Sequence, residues 1–158
     1  MKRDSKRVLL FLLLLILSGC ATNGAPDTLI EGGYDEQEMD AAIARARSEV
    51  DSFIAEMSKG TATDFSVKVA IDDKDYTEHF WLKNIAYRNG KFEGVIDNDP
   101  GMVSNVKRGQ KWSVKKSEIS DWLFMRDGKM YGNYTLRPLL KTMSEAEAAK
   151  LRSMLAAP

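Results

Sequence analysis

From Asp35 onward, apolar residues recur in steps of four and three: Met39, Ile43, Ala46, Val50, Phe53 and Met57. A helix turns every 3.6 residues, so these positions line one face, and the spacing predicts a helix of about 23 residues. Asp35 is placed to cap it and Glu38 to complete a capping box. Lys59 and Gly60 supply a basic last turn and a residue that tolerates positive φ at the stop. The same steps fit a coiled-coil seam. With Ala46 at the middle and few flanking ion pairs, however, the face is expected to dock on the domain's own sheet.

Beyond Gly60 the period falls to two. Phe65 to Ile71 alternates, Tyr76 to Tyr87 is rich in aromatic and β-forming residues, and Asn89-Gly90 leads into Phe92 to Ile96. Asn-Gly favours a type I′ turn, and pairing outward from it puts Tyr87 opposite Phe92 and Ile85 opposite Gly94. Asp97-Asn98-Asp99-Pro100-Gly101 opens a loop to Gly109, before a strand, Lys111 to Lys116, built around Trp112 and Val114. Trp122 to Met125, Asp127-Gly128 and Lys129 to Tyr131 predict a further hairpin, with Ile119 on the connection before it. Leu136, Leu139 and Leu140 predict a short helical turn. Ser144 with Glu147 forms a second capping box ahead of a terminal helix, Glu145 to Leu155. This order predicts an α+β domain: a long N-terminal helix packed on a small, strongly curved antiparallel sheet of about five to six strands, with a short C-terminal helix.

One segment stands outside this pattern. Val8 to Leu17 is an unbroken apolar run preceded by Lys2, Arg3, Lys6 and Arg7. Ten residues make about 15 Å of helix, half of the roughly 30 Å hydrocarbon core, so the run reads as an export signal rather than a span. It ends in Leu17-Ser18-Gly19-Cys20, which resembles the lipobox of bacterial lipoproteins. That resemblance implies cleavage between Gly19 and Cys20, diacylglycerol on the Cys20 thiol, and a further acyl chain such as palmitate on the new amine. Each buried CH₂ contributes about 0.8 kcal/mol, so two or three chains make a lasting membrane anchor. Ala21 and Thr22, rather than Asp, follow the cysteine; the same resemblance then implies the outer membrane, facing the periplasm, in a Gram-negative host. An uncleaved signal anchor and a secreted protein are the alternatives. Ala21 to Tyr34 has Asn23-Gly24, Pro26 and Gly32-Gly33 but no period, and reads as a flexible tether of roughly 20 Å reach. The organisation is therefore a leader at 1–19, the lipidated cysteine and tether at 20–34, and one domain at 35–158.

Charge narrows the partners. The chain has 158 residues with 23 basic and 23 acidic side chains, and processing leaves 19 and 22. A net acidic domain argues against nucleic acid. Cys20 is the only cysteine, so the mature domain has no intramolecular disulfide, thiol nucleophile or cysteine metal cluster.

Several short stretches have a familiar order: Phe65-Ser66-Val67-Lys68, Glu78-His79-Phe80-Trp81-Leu82, Gly90-Lys91-Phe92-Glu93-Gly94, the Asn98 to Pro100 turn, Ile119-Ser120-Asp121-Trp122, and Gly132-Asn133-Tyr134-Thr135 with Arg137. From about Tyr34 to Leu140 the chain resembles the YegJ-like bacterial domain of unknown function, number 2314 of that class. The resemblance implies a fold and transfers no catalytic residue.

His79 is the only histidine. With Cys20 lipidated, a metal site would be mostly carboxylate; neither a metal nor a cofactor is expected. Asp72-Asp73-Lys74-Asp75 and Asp97-Asn98-Asp99 miss the spacing of a calcium loop and read as turns. Glu78-His79 beside Trp81 is the most chemical-looking stretch. Neighbouring strand residues point to opposite faces, so His79 shares its face with Trp81 and not with Glu78. A hydrolytic role would need a hydroxyl from elsewhere and a carboxylate such as Asp121 or Glu78. Trp81, Trp112 and Trp122 read first as core. With His79 they are also candidates for an aromatic surface receiving a peptide or glycan, rimmed by Tyr34, Tyr131 and Tyr134. Lys107, Arg108, Lys111, Lys115 and Lys116 read as a solvated edge that discourages strand addition, or as a face toward anionic headgroups.

The resulting expectation is a non-catalytic envelope lipoprotein that binds a protein or glycan of the envelope. A small envelope hydrolase or transferase using His79 is the competing reading, and a periplasmic immunity or inhibitor protein is the third.

Overall fold

The computed structural model describes residues 7–12, 28–30 and 32–157. Strand β1 (Arg7–Leu12) comes from the apolar leader, and β2 (Thr28–Ile30) from inside the expected tether, where Thr, Leu and Ile suit extended backbone. The two pair antiparallel, with Leu10 opposite Ile30. Gly19, Cys20 and the tether through Asp27 lie outside the described residues. No described helix is long and apolar enough to cross a membrane.

Helix α1 (Glu36–Met57) begins where the side chain of Asp35 accepts the N–H groups of Gln37 and Glu38 at 2.9 and 3.0 Å. The predicted capping box is half formed, because the Glu38 carboxylate turns to Lys141 at 2.7 Å. Lys59 falls beyond the last turn and pairs with Glu56 at 2.8 Å. Met39, Ala46, Val50 and Phe53 are buried, as the spacing predicts, and the helix docks on the domain's own sheet. Burying one side chain of the size of Phe53 contributes roughly 1.5–3 kcal/mol.

Among the described residues six strands form the antiparallel sheet, β3 (Thr63–Asp73), β4 (Tyr76–Arg88), β5 (Lys91–Ile96), β6 (Lys111–Lys115), β7 (Ile119–Arg126) and β8 (Lys129–Gly132), and β1 joins it in parallel along β4 with β2 outside it. The order of the six across the open sheet is β6-β5-β4-β3-β7-β8. Ile119, expected on a connection, opens β7 instead and is fully buried. Asn89 and Gly90 both take positive φ, as a type I′ turn requires, and the rings of Tyr87 and Phe92 meet at 4.9 Å. The pairing of Ile85 with Gly94 is displaced by a bulge between Lys83 and Ala86, where Asn84 adopts φ 51. A Cβ on Gly94 would stand 2.9 Å from Ile85 Cγ2 and from the Lys83 carbonyl oxygen, so the bulge requires glycine there.

Each face of the sheet carries a core. On one face Val67, Val69, Phe80, Leu82 and Trp122 meet Val50 and Phe53 of α1. On the other, Trp81, Leu123 and Met130 meet Leu136 and Leu151, from α2 (Leu136–Leu139) and α3 (Glu145–Met154). The Ser144 and Glu147 capping box at the start of α3 is complete.

Candidate functional site

Strands β3 and β7 pair Lys68 with Asp121 and Val69 with Ile119, which leaves Ser120 as one extra residue. A bulge of this kind lets two consecutive side chains escape the usual alternation. Ser120 and Asp121 thereby join Lys68, His79 and Trp81 on the face opposite α1. His79 Nδ1 lies 2.8 Å from Ser120 Oγ. Lys68 Nζ donates to Thr135 Oγ1 at 2.6 Å and sits 4.6 Å from the centre of the Trp81 ring.

Asp121 is the hub of this cluster. One oxygen accepts the N–H groups of Trp122 and Tyr134 at 2.8 and 3.2 Å; the other accepts the N–H and hydroxyl of Thr135 at 2.8 and 2.7 Å. The carboxylate thus ties β7 to the segment that leads into α2. Burial pushes its pKa up, while Lys68 pulls it down. Burial pushes the Lys68 ammonium down to about 8, against the pull of Asp121.

His79 is 5% exposed. Burial first, then the charges of Lys68 and Arg47, push its pKa down to about 3. The ring is therefore neutral at pH 7. A general base must become imidazolium as it takes the proton, and two neighbouring cations oppose that. The bond to Ser120 has the outline of a nucleophile and base, but the field around it is of the wrong sign.

Glu78 faces the other way, as alternation requires. Its carboxylate accepts the N–H groups of Gly101, Met102 and Val103 at 2.8, 3.0 and 3.0 Å, pinning the long loop over the core. The two acidic stretches behave as turns. Asp73 accepts the N–H and hydroxyl of Ser104, and the side-chain oxygen of Asn98 accepts Trp81 N–H at 2.8 Å. Among the described residues, no three His, Cys, Asp or Glu side chains gather as metal ligands.

The structure does not bring His79, Trp81, Trp112 and Trp122 to one surface. Trp81 and Trp122 are buried in different cores on opposite faces. Trp122 donates its indole N–H to the Ala46 carbonyl at 2.9 Å and stacks on Phe53 at 5.0 Å. Trp112 alone reaches a surface groove, of about 430 Å³, with Asn84, Arg88, Glu93 and Lys111. Tyr134 is buried edge-on to Trp122 and bonds Glu49, Tyr131 stacks on Phe124 at 5.0 Å, and Tyr34 lies against the Met39 cluster. Lys111 and Lys115 stand on β6, an edge of the sheet; Lys115 and Lys116 pair with Glu118 and Asp51 at 2.9 and 2.8 Å. Lys68, Ser120 and Thr135 are the site residues that periodicity missed. The polar string Ser120-Asp121 inside an apolar strand is the signal that points to them.

Residues 36–155 match the model of a family described as "Uncharacterized protein conserved in bacteria (DUF2314)". The chain is 50% identical over 150 residues to the "Uncharacterized protein YegJ" of Escherichia coli (strain K12), covering 95% of this chain and 98% of that protein. It is 35% identical over 92 residues to a putative ankyrin repeat protein of Neisseria meningitidis serogroup B, covering 55% of this chain and 36% of that longer one. No solved structure matches it.

Proposed function

The chain belongs to the bacterial DUF2314 family, and on that premise we propose that it is a non-catalytic envelope lipoprotein, an α+β module held to the membrane by lipid on Cys20 that binds another envelope protein. The observation that carries this is the leader: four basic residues, the apolar run Val8 to Leu17, and Leu17-Ser18-Gly19-Cys20. The match to the Escherichia coli relative spans 95% of the chain and so reaches into that leader. The Neisseria relative supports the idea of a module. A matching segment occupies 36% of a longer protein named as a putative ankyrin repeat protein.

In a Gram-negative host, the wild-type protein should fractionate with the outer membrane. Its N-terminal peptide should begin at Cys20 and carry the mass of diacylglycerol and an acyl chain. Cys20→Ala should accumulate with its leader intact and without lipid. An unmodified sulfur in the wild-type protein overturns the proposal.

The Ser120 to His79 bond is the one observation that favours a hydrolase. With His79 held neutral beside two cations, a fluorophosphonate probe should leave Ser120 unlabelled at pH 7. Labelling of Ser120 that disappears in His79→Gln would restore the hydrolase reading.

A further inference from the structure

Strand β4 is 13 residues long, and β5 pairs only with its second half, from Leu82 to Arg88. The outer edge of the first half is taken by β1 in parallel, from Arg7 against Tyr76 to Leu10 against His79. Cleavage ahead of Cys20 removes β1, and with it the main-chain partner of that edge. An unpaired row of N–H and C=O groups is a template for another strand, and proteins protect such rows with charge, proline or cover.

The other two edges are protected. β6 carries exposed Lys111 and Lys115. β8 is covered by the C-terminal segment, where Leu155 bridges Met130 and Ala156 N–H donates to the Met130 carbonyl at 2.8 Å. Tyr76 to His79 has no Lys, Arg or Pro, and its one carboxylate, Glu78, is turned inward beneath Gly101 to Val103.

We propose that the Tyr76–His79 edge of the processed protein is a strand-docking site for an extended aliphatic segment of a partner polypeptide, running parallel to β4 as Arg7–Leu10 do. The strand seen on this edge runs parallel to β4, which favours a foreign strand; a second copy meeting it across a two-fold axis would pair antiparallel, and the dimer outcome of the test detects it. Main-chain bonds would supply affinity, and pockets for alternate side chains would supply choice. The inference rests on the lipoprotein reading, since cleavage is what opens the edge.

The test uses processed protein purified from host membranes and a fluorescent peptide carrying Arg-Val-Leu-Leu-Phe-Leu between solubilising lysine pairs. A scrambled peptide of the same composition controls for partition into detergent. The peptide should raise anisotropy well above the scrambled control and slow amide exchange across Tyr76 to His79. Thr77→Lys, which sets a charge beside the edge, should weaken binding about tenfold or more, while Ser113→Lys on β6 leaves it unchanged. The proposal is overturned if peptide and scramble bind alike with no change in exchange, or if Thr77→Lys binds as the wild type does. A dimer that Thr77→Lys dissociates also overturns it, because a second copy then holds the edge. A mass spectrum showing an intact leader would remove the lipoprotein reading itself, whereas a Cys20-initiated chain that ignores the peptide removes this inference alone.

Discussion

Gly132→Ala is expected to cost about 3–5 kcal/mol, enough to unfold much of a small domain, because it combines a backbone strain with an overlap that nothing nearby can relieve. Gly132 closes β8 at φ +75, and a Cβ there would stand 2.3 Å from the Trp122 carbonyl oxygen and 2.5 Å from Trp122 Cε3. The Trp122 carbonyl is held by the N–H of Asn133 at 2.8 Å, and its indole is fixed by Ala46 and Phe53. Neither atom can retreat without opening the contact between α1 and the sheet. Gly128→Ala is the matched control. Gly128 has nearly the same φ, +71, but no atom within 4 Å of its built Cβ, so only the backbone preference is lost, about 1 kcal/mol. Urea midpoints of the two variants compare the terms directly. Equal losses would show that φ, and not the close approach to Trp122, decides the matter.

The features that depend on near neighbours were legible in the sequence. The α1 face, the Asn89-Gly90 hairpin and the Ser144 box each rest on residues a few positions apart, where periodicity and capping chemistry operate. The site was less legible because its bonds are long-range. Lys68 stands in an alternating strand at a position that reads as solvent-facing. It is buried because Thr135, 67 residues later, reaches over it. Strict alternation would send Ser120 and Asp121 to opposite faces, and only the register between β3 and β7 shows the extra residue that puts them on one. The three tryptophans posed the same difficulty. Residue type makes each a core candidate, but which core receives it is set by which face of which strand it occupies. Glu78 and His79 were separated correctly, since alternation across one peptide holds wherever a strand is regular.

The buried pair beneath Thr135 should respond unequally to loss of its two members. Asp121→Ala leaves the N–H groups of Trp122, Tyr134 and Thr135 without their acceptor and the Lys68 ammonium without its counter-charge, a loss of about 3–5 kcal/mol. Lys68→Met removes the cation and its bond to Thr135 Oγ1. Asp121 keeps its four donors, and methionine fills the space against Trp81, so stability should change by no more than about 1–2 kcal/mol in either direction. The pH dependence separates the two members further. Lys68 titrates at about 8 in the fold against 10.5 as its ordinary value, so between these limits the unfolded chain holds a proton that the folded chain has released. Stability from this residue therefore rises with pH across that window; below about 8 both states are protonated and the cost of burying the charge is constant. Lys68→Met should lack the rise. Chemical denaturation at pH 7.5 and pH 10 on both proteins, taken as the difference between them, cancels the exposed lysines that titrate in the same range. If that difference does not change with pH, Lys68 is charged throughout, and the buried pair is held by Coulomb attraction stronger than the desolvation that opposes it.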